Sequence, residues 1–229
     1  AGIWGRWQKY YTVNTLATEH LLAASRAAGV TRFVYTSSPS VTFEGNNQNG
    51  IDERAPYASR WLCHYPHSKA LAEAAVLAQD QKRMQTCALR PHLIWGPGDR
   101  HLVGRLIQRS RQGRLRRVGD GTNRIDMVYI DNAATAHLQA AAALRPGGAS
   151  CGRAYFISQG EPVNCWDWIN QLLALAGQPP VTRSISCRRA WQLGHVFEFV
   201  YRTLGISREP PMTRFLAAQL GTSHFFDIQ

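Results

Sequence analysis

The chain has 229 residues, 45% of them hydrophobic, which is enough apolar material for a packed core and excludes a disordered chain. Lys and Arg outnumber Asp and Glu by 26 to 15, a formal charge of +11 that suits anionic cofactors, acidic surfaces or nucleic acid without choosing among them. The five cysteines show no C-x-x-C pair and no zinc spacing, so they read as reduced thiols of a cytoplasmic protein, and no apolar run reaches the roughly 18–20 residues of a membrane span.

In chain order, residues 11–28 place Val13, Leu16, Leu21 and Leu22 near one face and stop at Gly29, which predicts a helix. Residues 32–36 (RFVYT) predict a buried strand closed by "SSPS", and residues 44–59, polar and rich in Gly and Asn, predict a loop. A second helix is expected over 66–84, with Pro66 in the first turn, where a missing N–H costs nothing. Strand 86–90 runs into Pro91, "WGPGD" forms a turn at 95–99, and 102–112 make a helix with a basic face. Strand 126–130 leads into a helix reaching 144, with Asp131 as its cap and "RPGG" as its stop. A strand at 154–158, a helix over 165–176 capped by Asn164, and a mostly helical stretch beyond Pro180 complete the pattern. Strands alternating with helices predict an α/β protein with a parallel sheet. Ligands of such sheets bind beyond the carboxyl ends of the strands, which directs attention to Ser37, Ser38, Pro91 and His92.

The stretch "HYPHSKALAEAAVLAQ" sets Tyr65 and Lys69 four residues apart at the head of a helix, on one face. A cation beside a phenol favours the phenolate and lowers its pKa from about 10. Such a tyrosine can exchange a proton with a substrate oxygen, and a serine hydroxyl after a neighbouring strand can hold that oxygen. A Y-x-x-x-K match alone is weak; its context, a strand ending in "TSS" before it and a strand ending in Arg90-Pro91 after it, gives it weight.

The succession "RFVYTSSPSV", "YPHSKALAEAAVLA", "ALRPHLIWGPGD" and "DMVYIDNAATAHLQAA" resembles the extended short-chain dehydrogenases/reductases, and within them the 3β-hydroxysteroid dehydrogenase/isomerase family, over nearly the whole chain. "LRPHLIWGPGDRHL" is also similar to bacterial reductases of long-chain 3-oxo acids. The resemblance implies Tyr65 as general acid/base, Lys69 as its electrostatic and ribose-binding partner, and Ser38 as the hydroxyl that holds the substrate oxygen, with Ser37 as runner-up. It makes Asn14 the helix asparagine that supports the lysine, and runs Pro91 to Ile94 past the nicotinamide of NAD or NADP. Trp61, His92 and Trp95 are the further candidates for lining an apolar substrate pocket; a core or interface role is the plainer reading of each tryptophan, and a structural role that of the histidine.

The family begins its fold with a G-x-x-G-x-x-G turn for the pyrophosphate, and this sequence has none. The resemblance places Ala1 roughly 70–80 residues into a family member, so these residues are expected to form a partial Rossmann-type parallel sheet with helices on both faces plus a small α/β substrate domain. Residues 1–92 are assigned to the former and 93–229 mostly to the latter, with part of the chain returning to the sheet. Weak dinucleotide binding by these residues alone follows from the same reading. The six arginines between 105 and 117 read as a solvated face, and no nucleic-acid partner is expected. The amphipathic stretch 191–206 packs on a neighbouring domain, closes a pocket or rests on a membrane, and a homodimer is a further partner expectation. Two rival functions remain: a sugar-nucleotide epimerase or dehydratase, and a non-catalytic binding module.

Overall fold

The computed structural model describes residues 3–79, 81–99 and 101–229. It opens with one helical rod built from α1 (Trp7–Tyr10), a π-helical segment (Tyr11–Leu16) and α2 (Ala17–Ala27). The predicted first helix thus starts earlier and is widened over its first turns, a distortion frequent near functional sites. Gly29, at φ 69, lets the chain turn into β1 (Arg32–Thr36).

A 3-10 turn (Pro39–Thr42) leads to β2 (Gln48–Ile51), which lies inside the stretch expected to be a loop. "QNGI" has no strand periodicity of its own. It is a strand because its backbone pairs in parallel with the far end of the chain, Gln48 with His224 and Asn49 with Phe225. Next, α3 (His64–Leu77) ends well before residue 84. The Gln81 side chain organises the turn that follows, accepting from Thr86 N at 2.8 Å and donating to Gln79 O at 2.9 Å. A side chain that bonds nearby backbone in this way competes with helix propagation.

β3 (Gln85–Pro91) is buried along its whole length. Then come β4 (Ile94–Trp95), α4 (Val103–Arg111), β5 (Arg117–Val118), β6 (Arg124–Ile125) and β7 (Val128–Tyr129). The single strand expected over 126–130 is only β7, because α5 (Ile130–Ala143) already begins at Ile130. Tyr129 is its N-cap residue, so Asp131 sits in the first turn, where its charge faces the helix dipole, and does not cap. β8 (Arg153–Ile157), β9 (Val163–Asn164), α6 (Cys165–Leu175), β10 (Ser184–Ile185), α7 (Cys187–Thr203), α8 (Arg214–Gly221) and β11 (His224–Phe226) complete the chain. Asn164 caps α6, accepting from Trp166 N and Asp167 N.

β1, β3 and β8 form a parallel sheet in the order β1-β3-β8. Successive residues of β1 face opposite sides. Tyr35 joins Leu22 of α2 and Ala72 and Val76 of α3 in one core, while Thr36 bonds His137 of α5 on the other side. Helices therefore cover both faces. A second core, including Leu106, Val118, Ile125, Trp166, Ile169 and Leu173, joins α4 and α6 to the short strands. Part of the arginine run is structural here: Arg105 pairs with Glu209 at 2.7 Å and Arg109 donates to Pro211 O at 3.1 Å. α7 and α8 cross at Gly194, where a Cβ would stand 2.6 Å from Arg214 N.

Candidate active site

The carboxyl ends of β1 and β3 and the first turn of α3 meet at a cavity of about 130 Å³, lined among others by Ser38, Tyr65, Pro91, His92, Leu93 and His224. Ser38 follows β1 in extended conformation and starts the 3-10 turn by accepting from Ser40 N. Ser37 remains part of the sheet, its N–H donating to Leu89 O at 2.6 Å. The Ser37 hydroxyl is buried without a hydrogen-bond partner and does not line the cavity.

Tyr65 is the second residue of α3. Burial pushes its phenol above the ordinary value, and the hydroxyl of Ser38 beside it acts in the opposite direction. The shift is thus opposite to the one expected from a neighbouring ammonium. Lys69 has other partners: its Nζ donates to Thr36 O at 2.6 Å and sits 4.2 Å from the centroid of the Tyr35 ring. Burial lowers Lys69 to about 8, with the Glu73 carboxylate pulling the other way. At neutral pH the phenol is therefore a proton donor with a cation one turn behind it.

Asn14, in the π-helical segment, donates to Ser68 Oγ at 2.9 Å, and Ser68 Oγ donates to Tyr65 O at 2.9 Å. Thr15 bonds Ser68 O at 2.9 Å. The asparagine thus docks the widened helix onto the turn that carries Tyr65 and Lys69, through Ser68 and without direct contact with the lysine.

With this geometry, the comparison with known proteins is specific. Residues 4–184 match the 3-beta hydroxysteroid dehydrogenase/isomerase family. The chain belongs to that family. It is 48% identical to the 2-alkyl-3-oxoalkanoate reductase of Stenotrophomonas maltophilia, over all of this chain and 70% of that protein. It is 47% identical to the protein of the same name from Shewanella oneidensis, over all of this chain and 61% of that protein. Among solved structures, MoeE5 in complex with UDP-glucose and NAD matches with a TM-score of 0.64 and 29% identity, over 81% of this chain and 62% of that one. The chain is thus an oxidoreductase by family, with a Rossmann-type fold.

Around the site of this family member lie residues that sequence reasoning missed. Glu73, one turn beyond Lys69, is fully buried and accepts from Arg90 Nη2 at 2.6 Å, Arg90 Nε at 3.1 Å and the Tyr57 hydroxyl at 2.9 Å. This network ties α3 to β3. A charged residue inside the apolar run of α3 was the available signal. His224, 132 residues from His92, bonds it at 3.1 Å, a pairing that only the parallel placement of β11 creates.

Ile94, Trp95 and Trp61, like Ser37, do not line the cavity. Leu93 has φ 42, a left-handed conformation unusual for a branched side chain. Beyond it β4 pairs with β7, which carries the chain away. Ile94 is 36% exposed, and Trp95 packs against Tyr129 and Trp168 at ring distances of 5.3 and 6.2 Å. Trp61 stacks on His67 and lines a neighbouring cleft of about 670 Å³, together with Trp4, Trp7, Leu62 and Tyr201. Ile3 lines both the cleft and the cavity. No group of three or more metal-ligating side chains occurs among the described residues, nor any helix long and apolar enough to cross a membrane.

Proposed function

We propose that the protein interconverts a 3-oxo acid bearing long alkyl chains and the corresponding 3-hydroxy acid, with NAD or NADP as the redox partner. The observation that carries this reading is the protonated Tyr65 phenol beside Ser38 in a cavity at the carboxyl ends of parallel strands, with the Lys69 ammonium one turn behind. The names of the two reductase relatives point to the same substrate class.

In the reductive direction, Ser38 and Tyr65 both donate to the substrate carbonyl oxygen. Tyr65 then transfers its proton as that oxygen gains charge, and Lys69 stabilises the phenolate left behind. A bound nicotinamide supplies the hydride in this direction and takes it up in the other. The residues present fit its nicotinamide end: Tyr65 and Lys69 offer a hydroxyl and an ammonium for the ribose, and Pro91 lines the cavity next to them. NAD in the MoeE5 structure supports the same assignment. Ser37 and Ile94, which lie off the cavity, are not needed for it. The cleft lined by Trp4, Trp7, Trp61 and Tyr201 has the size and an aromatic wall for an alkyl chain, with Arg6, Lys9, Glu198, Arg202 and Arg214 also among its lining residues, and it meets the cavity at Ile3.

The test is a substrate panel followed by nicotinamide absorbance. A 2-alkyl-3-hydroxy acid, a 3β-hydroxysteroid and a UDP-sugar are offered with each dinucleotide. Turnover of the hydroxy acid is expected; turnover of the steroid or the UDP-sugar in its place overturns the assignment.

A further inference from the structure

The cavity beside Tyr65 carries no formal charge. Of its described lining residues only Tyr65, His92 and His224 titrate; the polar remainder includes Ser38, Gln48 and Gln219. The two imidazoles are edge to face with ring centroids 4.8 Å apart, and His92 Nε2 lies 3.1 Å from His224 Nδ1. His224 Nε2 lies 2.8 Å from Gln219 O.

This geometry sets the tautomers. A carbonyl oxygen only accepts, so His224 Nε2 carries a proton, and in a neutral ring its Nδ1 then accepts from His92 Nε2–H. His92 Nδ1 is left bare. It is buried and has no hydrogen-bond partner, and the Asp126 backbone only weakly offsets the burial that disfavours a charged ring. One more proton, on His92 Nδ1, would create an N–H without an acceptor in the protein, whereas the other two N–H groups already have His224 Nδ1 and Gln219 O. Burial opposes that cation and holds both histidines below their ordinary value. The Asp126 carboxyl does not offset it: Oδ2 accepts from Phe226 N at 2.8 Å, and burial raises its pKa. The pair has a free nitrogen for one extra proton and lacks the acceptor and the opposite charge that would hold it there.

We propose that the His92–His224 pair recognises the carboxylate of the substrate: an anionic group entering the cavity draws one proton onto the pair, and the shared cation holds it beside Tyr65. This rests on the 3-oxo acid reading above. In such an acid a single carbon separates the reacting carbonyl from the carboxylate, so both groups must occupy this small cavity while the alkyl chains leave it. The site then discriminates a free acid from its ester by charge.

The test is titration calorimetry with a 2-alkyl-3-hydroxy acid and its methyl ester, with excess dinucleotide at about pH 7, where Lys69 is already charged and the histidines are neutral, in two buffers of different ionisation enthalpy. The acid is expected to bind with uptake of about one proton, and the ester roughly tenfold or more weaker with none. His224→Gln should abolish the uptake and reduce the acid to the affinity of the ester; the proton count on the unaltered protein stands even if that variant fails to fold. Equal affinities, or acid binding without proton uptake, overturn the histidine assignment and leave the substrate class standing. Binding of neither ligand removes the substrate class and this inference with it.

Discussion

Glu73→Ala tests how α3, which carries Tyr65 and Lys69, is held. The carboxylate is fully buried against an Arg90 side chain that is 4% exposed, with three hydrogen bonds converging on it. Removing it leaves a buried guanidinium whose Nη1 already lacks a hydrogen bond. Breaking a buried pair from one side costs about 3–5 kcal/mol, because the remaining charge is uncompensated. At roughly 2–4 °C per kcal/mol for a chain of this size, the melting temperature should fall by about 6–20 °C. Urea unfolding should show a lower midpoint with an unchanged slope. The double variant Glu73→Leu/Arg90→Met removes both charges at similar volume and should recover most of the loss. Glu73 also supports the charged form of Lys69, so in Glu73→Ala the alkaline limb of the activity profile should move to lower pH. A loss below about 1 kcal/mol, or a double variant as unstable as the single one, would refute the reasoning.

Further outcomes are expected from the same geometry. Carbonyl reduction should decline as pH rises through about 8, because the Lys69 ammonium loses its proton there; Lys69→Arg, with a guanidinium that stays charged, should remove that limb even if the rate is lower. Ser38→Ala should lower kcat about 10²–10³-fold with folding intact, as loss of one donor to a developing oxyanion does. Ser37→Ala, which removes a buried hydroxyl without a partner, should leave both rate and stability nearly unchanged. Gly194→Ala should destabilise by about 1–3 kcal/mol, because a methyl group cannot fit against the Arg214 backbone, and should raise KM as α8 moves Phe215 and Gln219.

The parts legible in the sequence were those with local signatures. Strands such as 32–36, helices bounded by glycine or capped by Asn164, and the Tyr65–Lys69 spacing all announce themselves within a few residues. The rule that ligands meet strand ends singled out Ser37, Ser38, Pro91 and His92, and the structure brings the last three to one cavity but not Ser37. What was not legible depends on contacts distant in the chain. β2 is a strand because it pairs with β11, β11 also pairs with β6, and His224 reaches His92 through that placement. The pKa direction of Tyr65 depends on how deeply it is buried and on where the ammonium of Lys69 is spent, neither of which spacing reveals. Trp95 stands three residues after His92 and faces another core because Leu93 turns the chain between them.

The central claim is that Tyr65 moves the proton. Its most direct test compares the protein with Tyr65→Phe in nicotinamide-dependent oxidation of a 2-alkyl-3-hydroxy acid, at matched melting temperature. Loss of the hydroxyl alone should reduce kcat by about 10²–10⁴-fold and leave KM within a few-fold. A Tyr65→Phe protein that turns the acid over at the unaltered rate would contradict the account.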